Sequence, residues 1–79
     1  MKSLYVHANW DDQAKVWVAS SDDVPGLATE AESYDQLMAK LKIMIPELMA
    51  LNGEFEDGIT AAVPFELLAR RFETATRVH

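Results

Sequence analysis

One stretch of this chain carries a helical period, and it has room for a single helix. Leu37, Leu41, Met44, Leu48 and Leu51 recur at spacings of four, three, four and three, and Met38, Ile45 and Met49 widen the stripe. Ser33 stands where an N-cap belongs, with Gln36 three residues on completing a capping-box pattern. Glu30, Glu32 and Asp35 lie near that end, where the helix dipole favours negative charge. Gly53, just past Asn52, suits the position after a helix C-cap. The pattern predicts a helix over about 34–52, ~28 Å long at 1.5 Å per residue. Pro46 removes one backbone donor and presses on the carbonyl of Lys42, so a kink is expected there. The alternative is a break, with Pro46 opening a separate final turn.

The remaining periodic segments are strands. Leu4, Val6, Ala8 and Trp10 alternate with Tyr5, His7 and Asn9, and Val16-Trp17-Val18-Ala19-Ser20 is β-branched and aromatic. Asp11 to Lys15 between them reads as a hairpin turn. Ser21-Asp22-Asp23-Val24-Pro25-Gly26 is the strongest loop signal. Pro25 presets φ at the second position of a type II turn, and Gly26 supplies the positive φ needed next. Leu27 to Ala31 then forms a short third strand. Glu54 to Gly58 reads as a turn, and a fourth strand is expected to begin at Ile59–Val63 and to continue through the alternation of Phe65, Leu67 and Ala69. A helix over 65–76 is the competing reading, since Phe65, Leu68, Ala69 and Phe72 share a face. Residues 70–79 are expected to form a frayed, basic-leaning tail.

The order strand, strand, strand, helix, strand predicts one α+β domain spanning 1–79: a three-stranded antiparallel meander, one amphipathic helix and a fourth strand. A single helix covers one face of such a sheet. Val16-Trp17-Val18-Ala19 is apolar on both parities, which suits a strand buried on both sides. A chain of 79 residues without cysteine buries only about 60% of its unfolded surface and has no disulfides to compensate. A homo-oligomer, dimer or higher, is therefore expected, with Trp17 at an interface or merely half-exposed.

Charge narrows the partners. Seven Lys and Arg against thirteen Asp and Glu give −6. Residues 1–69 hold twelve acids and four lysines, −8, whereas residues 70–79 hold Arg70, Arg71 and Arg77 against Glu73, +2. An acidic body steers basic partners towards it and disfavours direct DNA binding. No run approaches the roughly 18 apolar residues of a membrane span, and the N-terminal segment has a strand pattern instead of a signal-peptide core. A cytoplasmic protein with no membrane partner is expected.

No catalytic constellation stands out. Asp11-Asp12 and Asp22-Asp23 fall in turns, where aspartate bonds its own backbone, and neither matches a calcium loop. Glu30 and Glu32 share a strand parity and could pair carboxylates, but their place beside a helix start accounts for them. His7 is alone on its strand, and His79 is remote in sequence. The three glycines are isolated, so no phosphate loop exists. The expectation is a non-enzyme with no catalytic, cofactor-binding or metal residues.

The run from Val16 to Leu37, with Val24-Pro25-Gly26-Leu27-Ala28-Thr29-Glu30-Ala31-Glu32 at its centre followed by the helix start, resembles the HicB-like antitoxin superfamily, in a stand-alone uncharacterised branch. The resemblance covers about residues 4–67. Asp22 stands where the family's usual proline lies before the Val-Pro-Gly. The resemblance implies a β-β-β-α-β domain like a truncated ribonuclease-H-like fold, usually dimeric or higher, that binds and masks a small basic RNA-cleaving toxin. Residues 70–79 are too few for the family's appended DNA-binding module, and the first strand offers none of the carboxylates of a ribonuclease-H site.

Together these readings give an antitoxin-like module that dimerises and masks a small basic toxin, with Tyr5, Trp17, Asp22 and Asp23 as the partner-binding residues. The rivals are an orphan homo-oligomer without a toxin and a small metal-dependent hydrolase built on Glu30 and Glu32.

Overall fold

A computed structural model of the chain describes residues 3–53 and 62–78. Its elements run β1 (Leu4–Asp11), β2 (Val16–Ser20), β3 (Ala28–Ala31), α1 (Tyr34–Leu51) and β4 (Phe65–Arg70). The expected Glu54–Gly58 turn, residues 59–61 of the expected fourth strand, and His79 lie outside the described residues.

The period-two pattern of the first segment becomes alternating burial. Leu4, Val6 and Ala8 point into the core, while Tyr5, His7 and Asn9 point away from it. The hairpin turn is tied by Asp11, whose Oδ1 accepts the amides of Gln13 and Ala14 at 3.0 and 3.1 Å. The Lys15 amide closes it onto the Asp11 carbonyl at 2.7 Å, with Lys15 itself at φ +58°. The second turn forms as its residues dictate. The Leu27 amide bonds the Val24 carbonyl at 3.1 Å, and Gly26 takes φ +86°. A Cβ at Gly26 would meet only Leu48 Cδ2, at 3.6 Å, an ordinary contact. The backbone angle, and not lack of space, therefore requires glycine there. Val24 and Leu27 on either side are buried, so the turn is pinned to the core.

Ser33 caps α1, its side chain accepting the Gln36 amide at 3.1 Å. At the other end the Asn52 and Gly53 amides bond the Leu48 and Ala50 carbonyls, with Gly53 at φ +76°. Leu37, Leu41, Ile45 and Met49 form the buried line. The expected stripe is rotated by about one residue beyond Leu41: Met44 and Leu48 flank the core, and Leu51 is exposed. The helix runs through Pro46 as one element, so the break is overturned.

The sheet order is β3-β2-β1-β4. β1 pairs antiparallel with β2, and β2 with β3, while β4 pairs parallel with β1 from Leu4↔Phe65 to Asn9↔Arg70. This corrects the three-strand meander in one respect. β1 is an interior strand of a four-stranded mixed sheet, and β3 and β4 are the edges. The helical alternative for 65–76 is overturned by the ladder, and among the described residues the strand starts at Phe65, with 62–64 outside the ladder. Pro64 has no amide to donate, but its carbonyl accepts the Leu4 amide at 3.1 Å and sets the register. The helix lies over β2 and β3 on one face of the sheet.

Candidate interaction surface

Strand register decides which side chains the helix leaves uncovered. Opposite residues in a ladder share a face, so Arg70, Asn9, Val18 and Glu30 form one row across all four strands on the side away from α1. Leu68, His7, Ser20 and Ala28 form the next row, and Tyr5 and Glu66 follow. Tyr5, Val18 and Leu68 are exposed there at 44, 41 and 43%. These three sit among Glu30, Glu66, His7 and Arg70, a mixed polar and apolar face with nothing of the described chain upon it.

Trp17 is not part of that face. It pairs with Trp10 and Ala31 on the helix side, where it is partly buried against the core. Its ring meets Trp10 edge-on at 5.5 Å and Tyr34 at 6.5 Å. Val18, one residue later, is the apolar side chain that β2 leaves open. Tyr5 presents its ring on the open face, but its backbone is held by the loop that follows β2. Asp23 Oδ2 accepts the Tyr5 amide at 2.9 Å, and Ser21 Oγ donates to the Tyr5 carbonyl at 2.6 Å. The same Ser21 oxygen accepts the amides of Asp23 and Val24 at 3.0 and 3.2 Å. Side chains thus continue the ladder after β2 has ended. Of the four expected partner residues, Tyr5 and Asp23 are brought together, Asp22 is exposed on the same loop, and Trp17 is on the opposite side of the sheet.

A second cluster has no counterpart in the sequence reading. The Arg71 guanidinium lies 4.3 Å from the centre of the Trp10 ring, within cation–π range. The Trp10 indole N–H donates to Asp12 Oδ1 at 3.3 Å, and Lys15 Nζ lies 3.0 Å from the same oxygen. The hydrogen bond from Lys15, then that from Trp10, holds the Asp12 carboxyl below its ordinary value. Asn9, Trp10, Arg70, Arg71 and Phe72 line an open cleft of about 560 Å³. No local signal joins Trp10 to Arg71, because β4 reaches Trp10 only through the parallel pairing.

Glu30 and Glu32 border a hollow of about 240 Å³ together with Gln36 and Lys40. Lys40 Nζ donates to the Glu30 carbonyl at 2.6 Å, so the pair sits beside a cation that already ties α1 to β3. Among the described residues no three His, Cys, Asp or Glu side chains gather as metal ligands, and no helix is long and apolar enough to cross a membrane.

Comparison with known proteins finds a family match, to a domain of unknown function (DUF1902), over residues 3–78. The crystal structure of a hypothetical protein from the extremely thermophilic bacterium Thermus thermophilus is 43% identical, with a TM-score of 0.66. That match covers 96% of this chain and 100% of the other. No curated protein matches.

Proposed function

The chain belongs to the DUF1902 family, and from that premise we propose that it is a non-enzymatic protein-binding module of antitoxin type, whose uncovered sheet face receives a small basic protein. The observation that carries the reading is the open face itself, where Tyr5, Val18 and Leu68 are exposed among the charged and polar side chains of Glu30, Glu66, Arg70 and His7. An interface core favours aromatic and aliphatic side chains with charge at the rim, and that face has this composition. The −8 carried by residues 1–69 favours a basic partner by steering and by complementarity. The β-β-β-α-β order also accords with the HicB-like resemblance, which suggests a small RNA-cleaving toxin as the partner. Fold likeness alone carries no function, so the test is binding.

The partner to try is a short basic protein encoded beside this chain in its native host. Titration calorimetry is expected to give a complex whose affinity falls as salt rises. Val18→Asp and Tyr5→Ala are each expected to weaken it about tenfold or more, equivalent to ~1.4 kcal/mol, while circular dichroism stays unchanged. An affinity that neither substitution alters, or a native neighbourhood coding for no such protein, counts against the reading.

A further inference from the structure

Residues 71–78 read as a strand that lacks its partner. Phe72, Thr74, Thr76 and Val78 alternate with Arg71, Glu73, Ala75 and Arg77, a period-two pattern rich in β-branched and aromatic residues. The segment continues directly from β4 but joins no ladder among the described residues. All eight of its residues are exposed, with Phe72 at 91% and Val78 at 88%. The molecule measures 62 × 22 × 19 Å, and its radius of gyration of 15.4 Å exceeds the about 12 Å of a compact chain of this length. A large aromatic left in water on an extended arm is a feature that association removes.

β4 is unfinished in the same place. It is an edge strand, so among the described residues one side of its backbone is unpaired. Because α1 lies over β2 and β3, Phe65 and Leu67 are only partly covered and Ala69 is exposed. The other edge is already guarded, since Lys40 occupies the Glu30 carbonyl on β3.

We infer that the segment from Phe65 to Val78, β4 and the arm that continues it, pairs antiparallel with the same segment of a second copy, each arm lying along the partner's β4. One two-fold operation seats both arms at once, so the interface is self-complementary and closes at a dimer. Main-chain hydrogen bonds along the edge supply the affinity, as in strand addition. Charge agrees: the arm carries Arg71 and Arg77 against Glu73, and it would lie against a body of opposite sign. The result is one eight-stranded sheet. This edge is distinct from the open face assigned to the basic protein, and the two can fail separately.

Light scattering on the full chain reads the dimer directly. Thr74→Pro with Ala75→Pro removes an amide from each side of the arm, so whichever side faces the partner loses a donor. The unaltered chain is expected to be dimeric at micromolar concentration, and the double variant to dissociate about tenfold or more readily. Amide exchange on the unaltered chain supplies a readout independent of any variant. Alternate amides between 72 and 78 are expected to exchange slowly in concentrated solution and to lose that protection on dilution. Val18→Asp is expected to leave the mass unchanged. A monomer at every concentration, a dimer that the prolines do not weaken, or unprotected arm amides in the dimer overturns the inference.

Discussion

Leu41→Ala is expected to lower the unfolding free energy by about 2–5 kcal/mol, the usual range for emptying a closed aliphatic site. Leu41 is fully buried at the middle of the line that α1 presents to the sheet, and it has Leu37 and Ile45 one turn away on either side. A domain of this length holds only about 4–12 kcal/mol in total, so the variant stands near the edge of folding. Urea titration is the measurement, with Ile43→Ala as the comparison. Ile43 is 63% exposed on the same helix, and its truncation is expected to stay within about 0.5 kcal/mol. Equal losses at the two positions would mean that the helix presents a different face.

The second large effect is expected at a hydroxyl group. Ser21→Ala removes three hydrogen bonds at once: the one donated to the Tyr5 carbonyl and those accepted from the Asp23 and Val24 amides. Each is worth about 0.5–1.5 kcal/mol net, and the Val24 amide belongs to a fully buried residue with little access to water. A loss of about 2–3 kcal/mol is therefore expected in urea. Ser21→Thr keeps the oxygen and is expected to recover most of it. A loss under about 0.5 kcal/mol for the alanine variant would show that solvent replaces the hydroxyl and that the loop does not hold β1.

The parts of the fold that could be read from the chain are those whose cause is local. Ser33 caps because the residue three places on needs an acceptor. Pro25 and Gly26 turn because their own backbones allow little else. The alternation of Leu4 to Asn9 fixes its own inside and outside. The placement of Trp17 could not be read this way, because Val16-Trp17-Val18-Ala19 is apolar on both parities. Its direction is set by pairing with Trp10 and Ala31, and hence by register. Period two also runs through residues 62 and 63, whereas the ladder begins after Pro64, because pairing with β1 and not alternation sets where the ladder starts. The roles of Ser21 and Asp23 depend on the Tyr5 backbone, 16 and 18 residues away. Of the open face, Tyr5 was legible as a strand residue opposite the core. Val18 and Leu68 joined it only once four strands were in register.

The parallel seam between β1 and β4 also bears on how the chain comes to its fold. Leu4 and Phe65 are 61 positions apart, against five for Asp11 and Val16 across the hairpin. Closing the longer loop costs about 2 kcal/mol more chain entropy. That order of costs puts the hairpin in the folding nucleus and leaves the seam to zip up late. Substitutions such as Leu67→Ala are then expected to accelerate unfolding while hardly slowing refolding in stopped-flow experiments. During synthesis β1 keeps a bare edge until the last quarter of the polypeptide emerges, and in that interval the nascent protein is most open to aggregation.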